Sequence, residues 1–299
     1  MTQKLCTSST IAPQPAQRAG STKSSALFNP DRTIVGTLTT TLSPDARQRT
    51  SAAMTDEVFD QKAMELRRSR AIQRGRETFL HERAFEDILE RISLTNRRFG
   101  SALLVGCVDP AWPERLRAFA DTVDVTEPND LMRLEPSSYD LCVTVGALDM
   151  LNDLPQALAI IRFALKPDGL CIGALSGGQT LPRLRSAMRA ADEEIGSASP
   201  RVHPRIDPAA LAGLLSEAGF AMPVVDVDRA RASYRSLRDL VRDLRSMGAT
   251  NSLSARSKAP LSRAAILAAE RSFADDAEDG RTVETFEILH FAAWAPQQG

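Results

Sequence analysis

The stretch Ser137–Leu175 leaves this chain few folds to choose from. Tyr139 and Asp140 lead into Leu141-Cys142-Val143-Thr144-Val145, a short β-branched apolar run of the kind found in strands buried on both faces. Leu158, Ile161 and Leu165 then recur at helical spacing over Pro155–Leu165. Lys166-Pro167-Asp168-Gly169 stops that helix, with a cation in the last turn and Pro and Gly just beyond. Leu170–Leu175 is the next buried strand. Strand, helix and strand in that order form a βαβ unit, which implies a parallel sheet with helices on its faces.

The flanks extend the unit. Ser101–Val105 reads as the first strand, Gly106–Pro110 as a turn and Trp112–Ala120 as a helix, with Asp109 as N-cap and Pro110 in its first position. Thr122–Thr126 is the second strand, followed by Glu127. Only Pro128–Pro136 then separates Glu127 from the strand at Tyr139. A helix and a third strand need far more chain, so an edge strand is deleted or reduced here. Further on, helices are expected over Leu181–Ile195, Pro208–Ala218, Leu237–Met247 and Leu261–Phe273. Strands are expected over Met222–Val227 and, antiparallel, Thr282–Trp294. Phe59–Phe99 reads as two or three helices, the first carrying Lys62, Arg67, Arg68, Arg70, Arg74 and Arg76. That basic run is either a solvated face or a surface for an acidic partner or an anionic substrate.

The Ser-Tyr-Asp-Leu strand, Leu148–Pro155 (LDMLNDLP) and LKPDG together resemble the fourth and fifth strands of class I S-adenosylmethionine-dependent methyltransferases. Gly177-Gly178-Gln179-Thr180-Leu181, Ser199-Pro200, Ala218-Gly219-Phe220 and Ser246–Asn251 (SMGATN) narrow the resemblance. They are similar to the branch that contains a mitochondrial complex I assembly factor acting as an arginine hydroxylase. The biotin-synthesis methyltransferases are more distant. The resemblance implies an α/β fold, a Rossmann-like doubly wound and mostly parallel sheet. It also implies S-adenosylmethionine as cofactor, with Gly106, Asp109, Glu127 and Leu148 on the cofactor side. The substrate side would be Asp149, Gly177, Gly178, Thr180, Arg185 and Asn251. Asp149 and Met150 stand where relatives carry an aromatic-containing sequence, and Asp149 reads as either a site group or an exposed loop carboxylate.

One departure bears on chemistry. Relatives carry a G-x-G-x-G turn after the first strand, and this chain keeps Gly106 with Val108 and Pro110 in the other glycine positions. Val108 adds a branched side chain where the cofactor backbone contact belongs, and Pro110 removes an N–H. Two functions therefore follow from the resemblance. One is a methyltransferase-like enzyme acting on a protein or small molecule. The other is a cofactor-less assembly factor binding a subunit of a respiratory complex. No catalytic acid, base or nucleophile is identifiable.

Composition bounds the rest. The 299 residues are 43% hydrophobic and 25% charged with net charge −1, which gives no overall electrostatic footprint for nucleic acid. No apolar run approaches a membrane span. Cys6, Cys107, Cys142 and Cys171 lack disulfide or metal spacing and read as thiols in a reducing compartment. Residues 1–53, rich in Ser, Thr, Ala, Pro and Gln, are expected to be disordered. They are a segment ahead of a true start at Met54, a flexible tail, or an acid-poor transit peptide. Localisation is accordingly cytoplasmic, or mitochondrial in the last case. Residues 54–100 would form a helical lid on the α/β domain of 101–299.

Overall fold

The computed structural model describes residues 57–297, and the expectations for residues 1–53 lie outside them. A six-stranded sheet runs through the molecule in the order β2-β1-β3-β4-β6-β5. The strands are β1 (Phe99–Val105), β2 (Ala120–Thr126), β3 (Tyr139–Val145), β4 (Leu165–Ser176), β5 (Ala221–Tyr234) and β6 (Thr282–Trp294). The first four are parallel, and β6 pairs antiparallel with both β4 and β5. This is the expected Rossmann-like arrangement with its third edge strand missing. A short 3-10 helix, Pro128–Arg133, stands in the place of that strand, and β2 is the sheet edge.

Each face of the sheet is covered by helices, as its apolar strands require. Against one face lie α2 (Phe79–Leu94) and α3 (Trp112–Leu116), while α1 (Gln61–Gln73) packs on the helix Leu237–Ser246. Phe85, Ile88 and Ile92 of α2 recur at helical spacing and are fully buried on Ala102, Leu104, Leu141 and Val143. Each such side chain contributes roughly 1.5–3 kcal/mol. The Phe85 ring stacks on Trp112 at 4.3 Å between centroids, and Glu82 accepts the Trp112 indole N–H at 2.8 Å. The opposite face is covered by α4 (Leu154–Ala164) and α6 (Pro208–Glu217), through Leu158, Ile161, Leu211 and Leu215.

The β5–β6 ribbon outruns the rest of the sheet. β6 pairs with β4 only over Ile288–Trp294, while its first half, from Thr282, pairs with β5 alone. On that overhang sits a third core made by α5 (Pro182–Ile195), α7 (Leu237–Ser246) and α8 (Arg263–Ala274), closed on Tyr234 and Phe286. The overhang forms a wall beside the carboxyl ends of β1, β3 and β4.

Three elements differ from the sequence expectation. β4 starts at Leu165 and takes in Lys166–Gly169, expected as a stop between the helix and a strand at Leu170. β5 continues to Tyr234 rather than ending at Val227, because an antiparallel edge strand with one wet face tolerates the Asp and Arg of DVDRARAS. The helix after β1 is a single turn and a half, starting at Trp112 and not at Pro110, since Ala120 is already paired in β2. Asp109 caps the turn ahead of that helix, its Oδ1 accepting from the Ala111 N–H. No helix among the described residues is long and apolar enough to cross a membrane.

Candidate functional site

A cleft of 170 Å³ opens at the carboxyl ends of β3 and β4, where ligands of such sheets sit. Its floor is Val145, Gly146, Ala147, Ala174 and Ser176. α1 and the α1–α2 connection cover it with Met64, Arg68 and Arg76, and α2 adds Leu80 and His81. Phe286 and Glu287 of the overhang close one side, with Leu244 and Met247 of the α7 segment.

His81 lies against the floor because Gly146 has no side chain. Gly146 has φ of +65°, and a Cβ there would stand 2.8 Å from His81 Cδ2 and Nε2. Burial pushes the imidazole pKa down to about 4, with Arg76 and Arg68 adding to the effect against the pull of Asp149. The ring is therefore neutral at pH 7, and among the described residues its Nδ1 has no hydrogen-bond partner. Sequence reasoning passed over His81, and a lone histidine on an amphipathic helix carries no signal of this placement.

The expected substrate residue Asp149 lines the cleft and is partly buried rather than an exposed loop carboxylate. It accepts from the Ser176 N–H at 3.1 Å and from the Ser176 hydroxyl, and pairs with Arg205 at 3.5 Å. Its side chain is 12% exposed and that of Arg205 9%. Burial lowers the Arg205 pKa, and the Asp149 charge opposes that shift. Asp149 is thus held as the counter-ion of a neighbouring loop.

The other expected site residues divide. Glu127 and Thr180 line the cleft. The Thr180 hydroxyl donates to the Glu287 carbonyl and accepts the Glu287 N–H, tying the β4 loop to β6. Gly177 packs against Glu287, where a Cβ would stand 2.6 Å from Oε1, and Gly178 lies beside the Ile206 carbonyl. Arg185 donates to the backbone carbonyls of Thr180 and His203, and Asn251 to that of Pro200. Both of them line a separate cavity between α5, α7 and α8.

On the cofactor side, Gly106 has φ of +72°, and a Cβ there would come within 2.6 Å of the Ala147 Cβ. Its conformation and packing account for the glycine without a ligand. Leu148, expected beside the cofactor, is 2% exposed and part of the core with Leu103 and Leu158. Glu127 is bonded by Arg68 of α1 at 3.0 Å. Arg76 stands between them and Cys107: burial first, then Arg68, lowers its pKa, while Glu127 and Cys107 raise it. Its Nε has no partner among the described residues.

These residues depart in three ways from what an S-adenosylmethionine site of this fold is expected to hold. The turn after β1 offers one glycine, the carboxylate placed for a ribose is in a half-exposed ion pair with Arg68, and a 3-10 helix replaces the strand that would wall the adenine. His81 and Arg76 both line the cleft, and each keeps one buried polar atom, Nδ1 and Nε, without a partner among the described residues.

No family model matches the chain. It is 32% identical over 241 residues to the mouse protein named arginine-hydroxylase NDUFAF5, mitochondrial, covering 72% of this chain and 70% of that one. The zebrafish (Danio rerio) protein of the same name is 31% identical over 243 residues, covering 73% and 75%. The malonyl-[acyl-carrier protein] O-methyltransferase of a Methylovorus strain is 30% identical over 184 residues, covering 62% and 60%. With the sheet order and these likenesses together, the chain is a methyltransferase-like protein and belongs to the family of the mitochondrial arginine-hydroxylase NDUFAF5.

Proposed function

We propose that this protein works as a methyltransferase-like binding module for a protein partner, without S-adenosylmethionine, in the manner of an assembly factor for a respiratory complex. The observation that carries this reading is the Arg68–Glu127 pair. The acidic side chain positioned for a cofactor ribose is ion-paired from the covering helix, and Arg76 lines the same cleft. The fold's ligand cleft persists, and the same cover lines it with His81 and Arg76, whose buried Nδ1 and Nε have no partner among the described residues. The partner is a subunit of the complex, and the protein works in whichever compartment, cytoplasm or mitochondrion, assembles it.

A second reading, a methyltransferase-like enzyme using the cofactor, is favoured by the position of Glu127 at the end of β2 and of the cleft at the strand ends. Calorimetric titration of the full-length protein with S-adenosylmethionine and S-adenosylhomocysteine separates the two. No binding at millimolar ligand is expected. Micromolar binding overturns the module reading. In a strain lacking the gene, Glu127→Gln is expected to restore complex I assembly as fully as the wild type, and a failure to restore it counts for chemistry.

A further inference from the structure

Two concave surfaces outside the cleft meet at Arg245 and Thr250. The first is the cavity between α5, α7 and α8, of 440 Å³. That lies within the range of about 300–1,000 Å³ usual for small-molecule pockets. Its walls include Leu184, Met188, Val241, Leu261 and Ile266. The second is a basin of 530 Å³ lined by Lys62, Arg67, Arg70 and Arg74 of α1, with Arg245 and Arg256.

The basin explains how the basic run of α1 is sorted. Arg67, Arg70 and Arg74 recur at helical spacing and share one face. Arg68 turns instead to the cleft. Among the described residues Asp60 is the single acid lining the basin, and it is already committed. It caps α1 through the Ala63 N–H and is bonded by Arg256 at 2.8 Å. Burial and the neighbouring Arg256 and Arg70 charges lower the Arg67 pKa against the pull of Asp60, the signature of cations crowded without enough counter-charge. On α7, Arg238 and Arg242 pair with Glu270 and Asp239, whereas Arg245 has no such partner among the described residues. An apolar chamber thus shares its Arg245 and Thr250 border with a concentration of positive charge.

We propose that the two surfaces form one binding site for an anionic amphiphile. An acyl chain lies in the cavity among Leu184, Met188, Val241 and Ile266, and its carboxylate or phosphate head sits in the basin against Arg67, Arg70 and Arg245. The apolar walls supply the affinity for the chain, and the arginines supply charge-assisted hydrogen bonds for the head. The cavity adjoins the cleft, sharing Thr180, Arg205 and Leu244 with it, while the basin that takes the head shares none of its residues.

The test is calorimetric titration of the full-length protein with dodecyl phosphate and with laurate, which distinguish a phosphate head from a carboxylate. Inorganic phosphate and dodecyl maltoside, each below any micelle concentration, are the controls. Both anionic amphiphiles, or one of them, are expected to bind at least about tenfold more tightly than either control. Arg245→Ala should weaken binding about tenfold by removing a charged hydrogen bond. Ile266→Asp, at a position 39% exposed and so replaceable without unfolding, should weaken it as much. Arg242→Ala, outside both surfaces, should change nothing. Equal binding of inorganic phosphate would reduce the site to an anion patch, and equal binding of dodecyl maltoside to a bare apolar hollow. Either result overturns the proposal, as does no binding of either amphiphile or indifference to both lining variants.

Discussion

Replacing Asp149 by alanine tests how the loop between β3 and α4 is held. In the folded protein its carboxylate faces Arg205 at 3.5 Å, with both side chains nearly excluded from water, and accepts the Ser176 N–H. Removing it leaves Arg205 buried without a counter-ion and Ser176 with an unanswered donor. Breaking one partner of a buried pair costs about 3–5 kcal/mol. For a domain of this size each kcal/mol shifts Tm by about 2–4 °C, so a fall of roughly 6–20 °C is expected. Thermal unfolding followed by circular dichroism reads it directly. The double variant Asp149→Leu, Arg205→Met removes both charges and should recover most of the loss, because an apolar pair of similar volume avoids the desolvation cost. A drop below about 1 kcal/mol for Asp149→Ala, or a double variant no better than the single, would refute the buried-pair account. It would return Asp149 to the list of groups free to meet a ligand.

Other perturbations follow from the same geometry. Gly106→Ala should destabilise by about 1–3 kcal/mol in urea unfolding, since it combines positive φ with a Cβ 2.6 Å from that of Ala147; a neutral result would mean the turn relaxes freely. His203 is buried, with its Nε2 accepting the Ser252 N–H, and burial and three arginines push its pKa down to about 3. The unfolded chain therefore takes up the proton first as pH falls below about 6.5, and stability is lost progressively until about pH 3. At pH 5 this amounts to about 2 kcal/mol, and a His203→Gln variant should show a correspondingly flatter profile between pH 7 and 5. His81 and His290, also shifted down by burial, contribute with the same sign. Gly146→Ala should displace His81 from the floor of the cleft, and the imidazole should then titrate nearer 6.5 by NMR; an unchanged low value would disprove that contact.

Much of the scaffold was legible because its signals are local. The run at Leu141–Val145 and the alternation of Thr282–Trp294 each report their own element and stand in the structure, whereas Lys166–Gly169, read as a stop between helix and strand, already belongs to β4. The lost third strand was legible by arithmetic, since Pro128–Pro136 cannot hold a helix and a strand. The site was harder because its contacts are remote in sequence. Arg205 lies far along the chain from Asp149, and nothing near Asp149 announces a buried cation. Leu148 looked like a ligand contact by position, but the β3–α4 loop turns it inward onto Leu103 and Leu158. The basic run of α1 divides between two surfaces that only the packing of α1 against the α7 segment defines. One tie there is the Arg67 Nε donating to the Thr250 hydroxyl at 3.0 Å.

The lost strand has a consequence for solubility. With its neighbour gone, β2 presents an open row of backbone donors and acceptors, a template on which another chain could add. Its sequence, Ala120-Asp121-Thr122-Val123-Asp124-Val125-Thr126, would be a strongly β-forming segment without its two aspartates. Asp121 is bonded by Arg98, and Asp124 accepts from the Tyr139 hydroxyl, so both charges are fixed along the rim. They act as gatekeepers, and shortening the sheet has made them necessary. Replacing Asp124 by valine would remove a charge from the open edge and make Val123–Val125 a continuous β-branched apolar run, turning a protected border into a seed for intermolecular β-assembly.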